Sequence, residues 1–169
     1  AKQKNHFLKK ILPSNGYAID FKIAYELNDF LDGFGINEDY GTFGSILSSH
    51  NTLRILLDID KHWDISPATL SSNTSLGFIS NEKVDDFFYF FGGGMPGLRG
   101  YTYYDDNLKG TRKIIQTFYL RTPLFIERNF KVLSSYLQHM SIGLIFQIGN
   151  VFNGYELDDF KISSGLEIR

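Results

Sequence analysis

Apolar and polar residues alternate along much of this chain. Tyr17, Ile19, Phe21, Ile23, Tyr25 and Leu27 share one parity, while Ala18, Asp20, Lys22, Ala24 and Glu26 share the other. Successive side chains on a strand point to opposite faces, so this run predicts a strand with one apolar and one polar face. Leu53, Ile55, Leu57, Ile59, Trp63 and Ile65 repeat the scheme against Arg54, Asp58, Asp60, His62 and Asp64, with Lys61 interrupting the apolar face. Met140, Ile142, Leu144, Phe146 and Ile148 alternate with Ser141, Gly143, Ile145, Gln147 and Gly149. Phe160, Ile162, Leu166 and Ile168 alternate with Lys161, Ser163, Gly165, Glu167 and Arg169.

Strands are therefore expected over 17–27, 53–65, 111–124, 141–151 and 160–169, with weaker ones at 40–49 and within 66–79. Residues 84–91 lead into a glycine-rich loop, which brings the total to about seven or eight strands. Pro13-Ser14-Asn15-Gly16 reads as a turn, 28–39 as a loop rich in Asp, Asn and Gly, and His50-Asn51 as a short turn. Residues 1–12, with Lys2, Lys4, Lys9 and Lys10 around Phe7, Leu8, Ile11 and Leu12, read as a solvated turn or frayed terminus more than a lipid-headgroup patch.

This is an all-β, antiparallel pattern. The run from Tyr17 to Leu27 has the length of a tilted transmembrane strand. A soluble sandwich turns the apolar face of such strands inward and a membrane barrel turns it to lipid, and periodicity does not separate the two. Val132 to Tyr155 contains no Asp, Glu, Lys or Arg and is long enough to raise a spanning helix. Its serines, Gln138, His139, Gln147, Asn150 and three glycines argue against one.

Composition changes the picture little. Of 169 residues, 43% are hydrophobic, enough for a core, and 16% are aromatic. The net charge of −2 gives no electrostatic case for a nucleic-acid partner. With no cysteine there is neither a disulfide framework nor a thiolate metal site. The first residues carry no signal-peptide apolar core.

Candidate chemistry concentrates in Phe87 to Tyr101, where five aromatics run into Gly92-Gly93-Gly94 and then Met95-Pro96-Gly97-Leu98-Arg99-Gly100-Tyr101. Glycines cost about 1 kcal/mol each in a helix and proline about 3, so the stretch reads as an aromatic strand end and a constrained loop that delivers Arg99 to one place. Asp58, Asp60 and His62 share a strand face and could touch a metal, but no fourth ligand is in sight and polar lining is the simpler reading. The glycines lack the Lys-Ser/Thr of a phosphate loop, and no serine sits in a nucleophile elbow. No enzyme, metal or cofactor is expected.

Phe91-Gly92-Gly93 followed by Leu98-Arg99-Gly100-Tyr101 resembles the signature of the bacterial surface-antigen barrels, the outer-membrane assembly factors of the BamA and TamA types. Pro13–Gly16, Thr122-Pro123-Leu124, Phe146-Gln147-Ile148-Gly149-Asn150-Val151 and Ser163-Ser164-Gly165-Leu166-Glu167-Ile168-Arg169 resemble further motifs of that family, in order and at similar spacing. The resemblance implies an antiparallel transmembrane β-barrel of about 16 strands, of which residues 1–169 would be the C-terminal half with the last strands missing. It implies a long extracellular loop, 81–110, folded into the lumen, with Leu98, Arg99, Gly100 and Tyr101 as the docking motif. Tyr119 and Gln147 would be the wall partners of that motif, and Gly92, Gly93, Gly97 and Gly100 the loop's hinges. The implied setting is the bacterial outer membrane, with membrane lipid and protein clients or accessory subunits as partners. The implied activity is non-enzymatic insertion or translocation of proteins.

Two departures qualify this. Tyr119 and Gln147 stand where the family places two acids against the arginine, so Arg99 would be held by hydrogen bonds and a cation–π contact with Tyr119. The pattern also stops at Arg169, and a half-barrel would leave open edges in lipid, so a piece of a longer protein is expected. A barrel serving as anchor or pore for an upstream phospholipase or propeller-type domain, and a soluble ligand-binding β-sandwich, are the alternative readings.

Overall fold

In the computed structural model of the chain, residues 15–37, 41–82, 84–132, 135–154 and 159–169 are described. The expectations for 1–12, Pro13-Ser14 and Tyr40 lie outside them. Six strands form one curled, antiparallel, half-barrel sheet: β1 (Gly16–Asn37), β2 (Thr42–Ile65), β3 (Ala68–Ile79), β6 (Arg112–Val132), β7 (Ser135–Phe152) and β8 (Lys161–Ile168), in that spatial order. Two short strands, β4 (Phe90–Phe91) and β5 (Lys109–Gly110), pair with each other inside the segment between β3 and β6. The fold is all-β. Among the described residues no helix is long and apolar enough to cross a membrane, and the latter part of the uncharged stretch, from Ser135, is strand β7.

The strands outrun their alternating segments. The expected loop at 28–39 is largely strand, because β1 stays paired with β2 out to Asn37↔Thr42. His50-Asn51 is not a turn but lies inside β2, opposite Asn28 and Leu27. Turn-forming residues are tolerated there because the ladder continues on both sides, and the irregularity goes into a register shift between Leu31 and Gly33. The aromatic run is also not the end of a main-sheet strand: Asp86–Phe88 is a 3₁₀ turn, and only Phe90 and Phe91 are extended, in the small sheet.

Register assigns the faces. Asp60, Asn73, Thr117, Gln147 and Ser163 stand in one transverse row across β2, β3, β6, β7 and β8. His62, Ser71, Tyr119, Ile145 and Gly165 form the next row. This polar face is the one the 81–110 segment covers. The opposite face carries the apolar parity and is open: Tyr17 is 75% exposed, Leu27 70%, and Ile19, Phe21, Ile23, Phe118, Leu144, Phe146 and Leu166 are all exposed. Of the polar side chains that interrupt it, three on β3 and β6 bond one another. Gln116 donates to Ser72 Oγ at 2.7 Å and accepts from Thr74 Oγ1 at 2.5 Å.

The buried apolar clusters lie between the polar face and the covering segment. Ile79, Val84, Phe88, Phe90 and Val151 form one, and Leu98, Leu108 and Ile115, with Tyr101 against them, form the other.

Candidate functional site: the docked loop

The loop is built from its own backbone bonds. Asp85 accepts from Phe87 N at 2.9 Å and Asp105 from Asn107 N at 3.0 Å, capping the two 3₁₀ turns Asp86–Phe88 and Asp106–Leu108. The β4–β5 pairing closes the base. Within it, Gly92 N donates to Leu108 O at 2.7 Å, Leu98 N to Gly92 O at 2.6 Å and Gly94 N to Tyr101 O at 3.0 Å.

Such close winding needs residues without side chains. A Cβ at Gly93 would stand 1.9 Å from Thr102 O, and one at Gly97 2.0 Å from Gly92 O. Gly93 and Gly97 are thus points of close backbone packing and Gly92 lies against the Val151 side chain, whereas Gly100, at φ +96°, supplies the left-handed turn after Arg99.

Leu98 fixes the tip, being fully buried against Leu108 and Ile115. Complete burial of a leucine is worth about 1.5–3 kcal/mol.

Beside it, Gln147 reads the tip's backbone in both directions. Its Oε1 accepts from Arg99 N at 2.9 Å, and its Nε2 donates to Gly97 O at 2.8 Å and to Thr117 Oγ1 at 3.1 Å. Only 2% of Gln147 is exposed, and its amide uses both N–H donors and its carbonyl oxygen. Ser163 Oγ donates to Arg99 O, and Tyr101 Oη donates to Ile162 O at 3.2 Å.

The Arg99 guanidinium lies over the Tyr119 ring, 5.7 Å from its centroid. Arg121 lies over the same ring at 4.4 Å and reaches across Gly143 to Glu167 at 3.4 Å. Among the described residues no carboxylate pairs with Arg99, and its buried Nε has no hydrogen-bond partner.

Tyr119 and Gln147 therefore both touch the Leu98–Tyr101 tip. Sequence reasoning missed Thr117, Ser163 and Arg121; the first two flank Gln147 in its row, and only the pairing register reveals that. Asp60 accepts from Asn73 Nδ2 at 2.8 Å and His62 is bonded to Ser71 at 2.8 Å. Among the described residues no group of three His, Asp or Glu side chains is disposed to hold a metal.

Outside the docked surface, Lys109 Nζ sits between Asp86 Oδ2 at 2.7 Å and Asp106 Oδ1 at 2.8 Å. The hydrogen bond and charge of Lys109 hold the Asp106 carboxyl below its ordinary range, and the two carboxylates raise the Lys109 ammonium above its own.

No family model, curated protein or solved structure matches the chain.

Proposed function

We propose that the chain is part of a transmembrane β-barrel of the outer membrane that works without covalent chemistry, in the manner of assembly factors that insert or translocate proteins. The observation that carries this is the inversion of the sheet: its polar face is covered by the loop and its apolar face is left open. From Tyr17 to Leu27, strand rise of about 3.4 Å per residue gives roughly 34 Å. A tilt of about 40° projects that to roughly 26 Å, close to the ~25 Å apolar band of such barrels. The bonded trio Ser72, Thr74 and Gln116 is suited to lipid because its polar atoms satisfy one another. The reading requires further strands against the edges of β1 and β8, which pair with no other strand among the described residues, whatever supplies them.

Trp63, the only tryptophan of these residues, tests it. It stands on the apolar face near the β2–β3 turn with Lys61 over its ring at 5.7 Å, which supports an interfacial role. In bilayers, lipids brominated near the headgroup are expected to quench it more than lipids brominated at the chain ends. Absence of quenching by either lipid overturns the membrane reading.

A second reading, a barrel that anchors or forms a pore for another domain, is favoured by one observation: Arg99 has no carboxylate partner among the described residues, so a clamp built on charge is missing.

A further inference from the structure

We infer that the outward surface of the 81–110 loop is a saccharide-binding cleft. A cavity of about 490 Å³ opens there, lined by Phe87, Tyr89, Phe91, Tyr103, Tyr104 and the Asp86–Lys109–Asp106 ion-pair triad. That volume lies in the range of small-molecule sites, and its make-up, mostly aromatic with a few convergent polar groups, is theirs too. All of its walls come from the loop, so the inference is independent of the membrane reading.

The ring geometry selects the ligand class. Phe91, Tyr103 and Tyr104 pack on one another with centroids 5.5, 5.1 and 4.8 Å apart. A cation held between two ring faces needs them roughly 7 Å apart, twice the ordinary carbon contact of about 3.5 Å. No cage for a quaternary ammonium exists inside this cluster.

What remains are outer ring faces. Tyr104 is 75% exposed and Phe87 78%, flat apolar platforms beside charged groups. A pyranose ring offers the complement, an apolar face of C–H bonds and a rim of hydroxyls that both donate and accept.

The rim partners are present. Lys109 uses two of its three N–H bonds on Asp86 and Asp106, leaving one to donate. Each carboxylate keeps one oxygen that Lys109 does not hold, and among the described residues the hydroxyls of Tyr103 and Tyr104 make no hydrogen bond. Because the triad carries one net negative charge, neutral sugars are favoured over anionic ones.

The test is calorimetry of the full-length protein in detergent with maltotetraose, cellotetraose and chitotetraose, with choline as the cationic control. Saturable binding of at least one tetrasaccharide is expected, weakened about tenfold or more by Tyr104→Ala and largely retained by Tyr104→Phe. Phe87→Ala, at an exposed ring outside the packed trio, serves as a second variant in case Tyr104→Ala unfolds the loop. The inference is overturned if no tetrasaccharide binds, if choline binds in their place, or if both alanine variants bind as the wild type does. Failure here leaves Trp63 quenching untouched, so it is distinguishable from failure of the barrel reading.

Discussion

Gln147 holds Arg99 by its backbone N–H, 2.9 Å from the amide oxygen, and not by its guanidinium. The same amide donates to Gly97 O, so a single buried side chain spans the two residues that flank Leu98. A carboxylate could accept from Arg99 N, but it could not donate to Gly97 O or to Thr117 Oγ1. The amide thus suits a tip recognised through its main chain.

Gln147→Leu keeps the volume and removes every one of these bonds. Each buried group left unsatisfied costs about 1–3 kcal/mol, so the loss should exceed 2 kcal/mol overall. The midpoint of heat unfolding, read from gel mobility of unboiled and boiled samples, should fall clearly below that of the wild type.

Arg99→Ala is expected to cost less, about 0.5–1 kcal/mol, because the side chain contributes a cation–π contact at 5.7 Å while its backbone bonds survive. Heat midpoints should rank wild type, Arg99→Ala, then Gln147→Leu. The reverse order would mean that the guanidinium has a stronger partner than Tyr119.

Gly97→Ala should be among the most damaging changes in the loop, since its methyl would stand 2.0 Å from Gly92 O. A loss of about 3 kcal/mol or more is expected, together with protease cleavage within 81–110. Gly44→Ala, whose added methyl meets nothing within 4 Å, is the control and should resist protease as the wild type does.

The first docking partners were legible in the sequence because a motif carried them: Leu98–Tyr101 could be read against Tyr119 and Gln147 without knowing any pairing. Thr117 and Ser163 could not. Each is an ordinary small polar residue on an alternating strand, and what brings them to Gln147 is the register Thr117↔Gln147↔Ser163. Strand lengths failed for a related reason. Asp29, Asp32, Gly33 and Gly35 favour loop locally, yet β2 supplies a partner as far as Asn37, and pairing overrides propensity. Which face would be covered was equally hidden, because period two gives two faces and not their surroundings.

The ion-pair triad predicts a plateau in stability against pH. Asp106 is held below its ordinary value of 3.8, so its contribution is present above that value and lost as pH falls through the lower folded one. Lys109 is raised above 10.5, so its contribution is complete below that value and lost as pH rises through the higher folded one. The difference in heat midpoint between wild type and Lys109→Met should therefore stay constant from about pH 5 to 9.5 and shrink on either side. A difference that varies inside that window would contradict the triad.

Ile23→Arg separates lipid from water on the open face. At the middle of an apolar band an arginine costs about 2–4 kcal/mol, whereas on a water-exposed sheet it is harmless. Ala18→Arg, on the opposite face across from Asp60, should be tolerated in either case. Comparing the yields of folded, heat-modifiable protein for the two variants decides between the environments.

The β1–β2 ribbon continues beyond the last β2–β3 pair, Arg54↔Ile79, as two strands alone out to Asn37↔Thr42. Ladder bonds in an antiparallel sheet run perpendicular to the strands. A pull on the ribbon along its length therefore loads every β2–β3 pair from Ile79 to Ala68 in shear at once, whereas a sideways pull would open them one at a time. Mechanically the ribbon is a stiff handle on the sheet, strong along its axis and weak across it.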